Sequence, residues 1–83
     1  MWLERFLAVL EYGKEYGHCN VPYFKSYTCD VMIDGNMEQY AGKLGHWLGH
    51  QKRAWRGDPK RKLSADQRDL FQMLVDKGTL YLD

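Results

Sequence analysis

Residues 23–39 read YFKSYTCDVMIDGNMEQ, and how this stretch is understood decides the fold. Tyr23, Phe24 and Tyr27, then Val31, Met32 and Ile33, supply short extended pieces, and Asp34-Gly35-Asn36 is a turn signal. No helical period runs through it. We read it as a long, partly ordered loop, of a length unusual inside a compact domain. With helices on both sides, the expected class is all-α: a compact three-helix domain with a long irregular loop between helices 1 and 2, residues 1–83 forming a single unit cut from a larger protein.

Upstream, residues 2–16 carry a helical stripe. Trp2, Phe6, Val9, Gly13 and Tyr16 recur at steps of three and four, and Leu3, Leu7 and Leu10 widen the stripe. Glu4, Glu11, Lys14 and Glu15 fall opposite. Gly17 is a natural stop, and Pro22 biases Val21 to extended geometry, ready to tuck under the helix. Downstream, residues 38–56 read as the second helix, with Leu44, Trp47, Leu48, Gln51 and Trp55 on one face. Gly42, Gly45 and Gly49 each weaken a helix by up to ~1 kcal/mol relative to Ala. Gly45 and Gly49 leave room for close approach of another helix or a ligand. The third helix begins at a capping box, Ser64-Ala65-Asp66-Gln67, and runs to about Lys77 before Gly78. The tail Thr79-Leu80-Tyr81-Leu82 either packs on the core or leads into a neighbouring domain.

The overall charge is +1, but its distribution is uneven. Residues 43–62 hold seven basic side chains and one acid (Asp58), a net of +6; the segments before and after are net −3 and −2. Such a segment in a neutral chain is a candidate footprint for phosphate. Arg53 lies opposite the apolar stripe of its helix, Arg56 lies near it, and Lys60, Arg61 and Lys62 continue toward the start of the third helix, where free amides favour an anion. The candidate nucleic-acid-binding set is Lys43, His46, His50, Lys52, Arg53, Arg56, Lys60, Arg61 and Lys62. Trp2, Phe6, Trp47 and Trp55 sit on apolar faces and read as core. Tyr23, Tyr27 and Tyr40, expected on an exposed loop, are the better base-stacking candidates.

The remaining chemistry is sparse. His46 and His50 lie one helical turn apart, but position 47 is Trp where a zincin needs Glu, and Cys19 and Cys29 are too far apart in sequence for a finger. His18 is read as bonding a helix end. No metal and no cofactor are expected. There is no phosphate-cradling glycine loop and no Gly-x-Ser-x-Gly elbow, and Asp66 and Asp69 sit where a helix dipole favours acids. No enzyme is expected, and any ATPase would lie outside this chain. The two cysteines make no disulfide framework, though a single Cys19–Cys29 bridge stays open. No apolar run approaches ~18 residues and no signal peptide is present, so the expectation is a cytoplasmic, intracellular protein with no membrane contact.

Trp2 and Phe6, Tyr12, Gly17-His18, Val21-Pro22, Leu44-Gly45-x-Trp47-Leu48, Gln51-Lys52, Trp55-Arg56-x-Asp58, Leu63-Ser64, Gln67-Arg68, Leu70 and Leu74 follow one another in an order that resembles the helicase-associated domain, a small helical module often found in tandem in bacterial and algal helicase-like proteins. The resemblance implies three packed helices and a nucleic-acid-binding accessory role. Its implied partners are nucleic acid, of a kind the resemblance does not specify, and neighbouring copies or motor domains in a parent chain; our own expectation is DNA over RNA. Two features depart from the pattern. The segment from Pro22 to Leu44 is longer than usual, and Lys52 stands where Arg is common, losing the planar fork that grips phosphate bidentately. The alternative function is a protein-interaction or spacer module without nucleic-acid affinity, suggested by the apolar tail, the aromatic loop and the flanking acids.

Overall fold

The computed structural model describes residues 2–82. Its elements are α1 (Trp2–Tyr16), β1 (Tyr27–Ile33), β2 (Asn36–Gly42), α2 (Leu44–Trp55) and α3 (Ala65–Asp76). The all-α expectation is therefore wrong. Residues 27–42 are not an irregular loop but an antiparallel hairpin, in register from Tyr27↔Gly42 to Ile33↔Asn36, and the fold is α+β. The second helix starts at Leu44 rather than 38.

The physical reason lies at the tip. Asp34 and Gly35 both take positive φ, 51° and 79°, the pattern of a two-residue type I′ turn, whose twist matches that of paired strands. Gly takes this conformation freely, and Asp is among the few other residues that tolerate it. β1 then alternates: Val31 and Ile33 are buried and Tyr27 and Cys29 half-buried, while Thr28, Asp30 and Met32 face outward. In β2 only Tyr40 is buried. Most of β2 is thus polar or exposed, and Glu38, Gln39 and Ala41 are good helix formers, so its sequence imitates an extension of α2.

The hairpin packs on α1. The Tyr27 ring meets Tyr12 edge-on at 5.4 Å, and the Tyr27 hydroxyl donates to Glu15 Oε2 at 2.7 Å. Burial and then Glu15 push the Tyr27 hydroxyl pKa well above its ordinary value. Ala8, one turn before Tyr12, is fully buried. The other side of α1 faces the aromatic core. Trp2 stacks on Phe6 at 5.3 Å, and Phe71 of α3 meets both rings edge-on at 5.5 and 5.4 Å. Trp47 of α2 closes the group against Trp2 and Phe71. Such pairs contribute ~0.5–1.5 kcal/mol each beyond area burial. The polar end of Trp2 is satisfied, its Nε1 donating to Gln51 Oε1 at 2.9 Å.

α3 opens with the expected capping box: Gln67 N donates to Ser64 Oγ at 3.1 Å, and Ser64 N donates to Gln67 Oε1 at 3.0 Å. The tail packs on the core. Leu80 and Leu82 are buried, and the Cys19 amide donates to the Thr79 carbonyl, as the Tyr81 amide does to Asn20 Oδ1, both at 2.8 Å. His18 accepts the Asn20 amide through Nδ1 at 3.1 Å, just past the end of α1. Cys19 and Cys29 are both free thiols, raised in pKa chiefly by burial. No helix among the described residues is long and apolar enough to cross a membrane.

Candidate nucleic-acid interface

α2 is amphipathic with an unusually bare outer side. Leu44 and Leu48 are fully buried and Ala54 nearly so. The positions opposite that stripe, at about 100° per residue, are His46, Gly49, His50 and Arg53. The glycines admit a loop. Pro22 and Tyr23 carbonyls lie against Gly45, where a Cβ would overlap the Pro22 oxygen, and the Tyr23 ring lies over Gly49. The loop is fastened by the Gly45 amide donating to the Lys25 carbonyl at 3.1 Å and the Lys25 amide donating to the Pro22 carbonyl at 2.9 Å.

The candidate binding residues divide into those the fold gathers and those it separates. Lys43, His46 and His50 line one open depression of about 490 Å³, and Arg5 of α1 joins them, with Glu4, Tyr40 and Trp47 also in its wall. His50 is held below its ordinary pKa of 6.5 by desolvation, then by the charges of Arg61, Arg53 and His46, which places those groups close to it. Arg53 is exposed. Lys52 is half-buried and turned about 100° away from Arg53. Its pKa is lowered by burial and then by Arg56, so it forms part of a second sector with exposed Arg56. Lys60 and Lys62 are exposed. Arg61 is engaged by Asp58, Nη1 to Oδ2 at 3.2 Å, and the Asp58 carboxyl lies below its ordinary pKa because it accepts the Lys60 amide and faces Arg61. The start of α3, expected to offer free amides to an anion, is occupied by its own capping box.

Other assignments change with the hairpin. Tyr40, read as an exposed stacking residue, is 5% exposed. Tyr27 is half-buried with its hydroxyl committed to Glu15. Tyr23 remains exposed, and beside it stands Phe24, 86% exposed, which was not among the expected stacking residues. Arg5 was missed too, because its neighbours in sequence are acidic and apolar and only the tertiary fold brings it to α2. Arg68 donates to the Trp55 carbonyl at 3.2 Å with its guanidinium over the Trp55 ring at 5.1 Å, so it closes the end of α2. No group of three or more His, Cys, Asp or Glu among the described residues is placed to hold a metal ion.

The helicase associated domain matches residues 1–75. The chain belongs to this family. Membership marks it as an accessory module of a helicase-like protein. No curated protein and no solved structure matches the chain. Within this helicase-associated domain, the residues that carry the resemblance have visible work. Val21 is buried, and Pro22 sits against Gly45. Trp47 completes the aromatic core, and Gln51 accepts the Trp2 indole. These roles are architectural: they hold the outer face of α2 in place.

Proposed function

We propose that this helicase-associated domain grips nucleic-acid backbone through the outer side of α2. What supports the reading is the strip of Arg5, Lys43, His46, His50 and Arg53 along one accessible face, with the acid of the basic segment, Asp58, spent on Arg61. Exposed Arg56, Lys60 and Lys62 extend the positive field beyond this strip. The mechanism is charge neutralisation, tolerant of sequence, with each phosphate contributing about 0.7–0.9 to the slope of log affinity against log salt. DNA is the favoured ligand over RNA. A single copy binds weakly, and tandem copies or an attached motor in the parent chain, inside the cell, add avidity. The module itself is non-catalytic. The protein-interaction alternative loses one support, since Leu80 and Leu82 of the apolar tail are already buried.

The test is a titration with single-stranded and duplex oligonucleotides, DNA and RNA, at two salt concentrations. Affinity is expected to fall steeply with salt. Arg53→Glu with Arg56→Glu is expected to abolish binding at unchanged helicity by circular dichroism. An unaltered affinity in that double variant would overturn the proposal.

A further inference from the structure

Phe24 is the anomaly of this surface. An aromatic ring 86% exposed on a loop pinned to a helix by backbone contacts contributes little to the core. It is also not alone. The Tyr23 ring meets Phe24 edge-on at 5.0 Å and His46 at 4.3 Å with an interplanar angle of 32°, and Phe24 is itself 6.1 Å from His46. His46 is in turn 6.4 Å from His50. The four rings make a contiguous cluster on the outer side of α2, and His46 and His50 also line the depression that holds Arg5 and Lys43. Rings and cations are therefore neighbours on one face. Gly49 is what lets the cluster form, since a Cβ there would lie 2.9 Å from two atoms of the Tyr23 ring.

A cationic track bordered by exposed rings suits a ligand with both phosphates and free flat faces. Duplex offers the first but keeps its bases stacked on one another; a single strand offers both. We propose that this domain selects single-stranded nucleic acid, one base stacking on Phe24 beside Tyr23 while the adjoining phosphates run along Lys43, Arg5 and Arg53. The inference rests on the backbone-grip reading and adds to it the strand preference and the ring that creates it.

The experiment compares three fluorescent probes of about a dozen nucleotides at low salt: oligothymidylate, an abasic strand with the same number of phosphates, and a duplex. Wild type is expected to bind oligothymidylate on the order of 5- to 100-fold more tightly than the abasic strand, the range of one stacked base. Phe24→Ala, at a position too exposed to matter for folding, is expected to bring oligothymidylate down to the abasic level and leave the abasic affinity unchanged. Phe24→Trp is expected to keep the preference and add a tryptophan signal quenched by oligothymidylate alone. Equal binding of the thymidylate and abasic strands by wild type, or no effect of Phe24→Ala, overturns the stacking. If Arg53→Glu with Arg56→Glu still weakens every probe in that case, the backbone grip survives without it. Failure of wild type to bind any probe overturns both.

Discussion

The two sides of α2 are built on opposite terms. Inward, Leu44, Leu48 and Trp47 meet Trp2, Phe6 and Phe71, and the polar end of the Trp2 indole is satisfied by Gln51. Outward, the helix carries Gly49, two histidines and Arg53, with buried Gly45 at the border, and what covers the two glycines is a short loop rather than another helix. The inner side supplies the cohesion of the molecule. The outer side gives up helix propensity, about 1 kcal/mol per glycine relative to Ala, and gains close contact with the loop and an open set of basic side chains. Stability and ligand contact are thus divided between the faces of a single helix, and a change on one side should leave the other nearly unmoved.

The largest break in that division is Phe71→Ala. The ring has no exposed surface and touches Trp2, Phe6 and Trp47. Its truncation is expected to destabilise by about 3–5 kcal/mol in urea unfolding, a large share of the stability of a chain this size. Smaller is Gly45→Ala. Despite the helix propensity it adds, the new methyl meets the carbonyls of Pro22 and Tyr23, which cannot swing aside as a side chain can. A net loss of about 1–3 kcal/mol is expected. Gly49→Ala sharpens the contrast: the obstacle there is the Tyr23 ring alone. The stability change is expected to stay within about 1 kcal/mol, since a propensity gain of that size offsets the displaced ring. A thermal melt of the two variants side by side separates a backbone crossing from a ring contact.

The smallest effect is a pH dependence at His50. Its folded pKa lies below 6.5, first from desolvation and then from Arg61, Arg53 and His46. The folded chain therefore binds this proton less readily than the unfolded chain. The stability associated with neutral His50 is complete above about pH 6.5 and declines as pH falls through that value toward the folded pKa. His50→Gln should flatten this part of the stability profile in urea melts taken between about pH 7.5 and pH 5.5. A bound phosphate acts in the opposite sense, favouring the protonated ring, so oligonucleotide affinity should rise over the same descent in wild type and less in the variant. A wild-type affinity that is flat across this window would remove His50 from the contact.

The sequence disclosed the parts that repeat with a helical period. α1, the capping box at Ser64 and the buried face of α2 follow from apolar spacing and one local hydrogen-bond exchange. The hairpin was hidden because its evidence is split. The Asp34-Gly35 signal stands between an alternating strand and one that buries only Tyr40, so the period of two fades where β2 begins and helix-forming residues take over. The candidate interface was half legible. Arg53 and the two histidines were placed by periodicity, whereas the half-burial of Lys52, the arrival of Arg5 and the ring cluster at Phe24 depend on contacts between distant segments, and the ion pair of Arg61 on the turn at Asp58.

No side chain among the described residues caps the beginning of α2: Lys43 makes no such bond, and the Gly45 amide is satisfied by the Lys25 carbonyl instead. The helix is thus started by a strand of chain some twenty positions earlier. Fraying of that terminus and release of the Tyr23–Phe24 segment become one event, so amide exchange at Gly45 would serve as a clock for how long the rings stay in place.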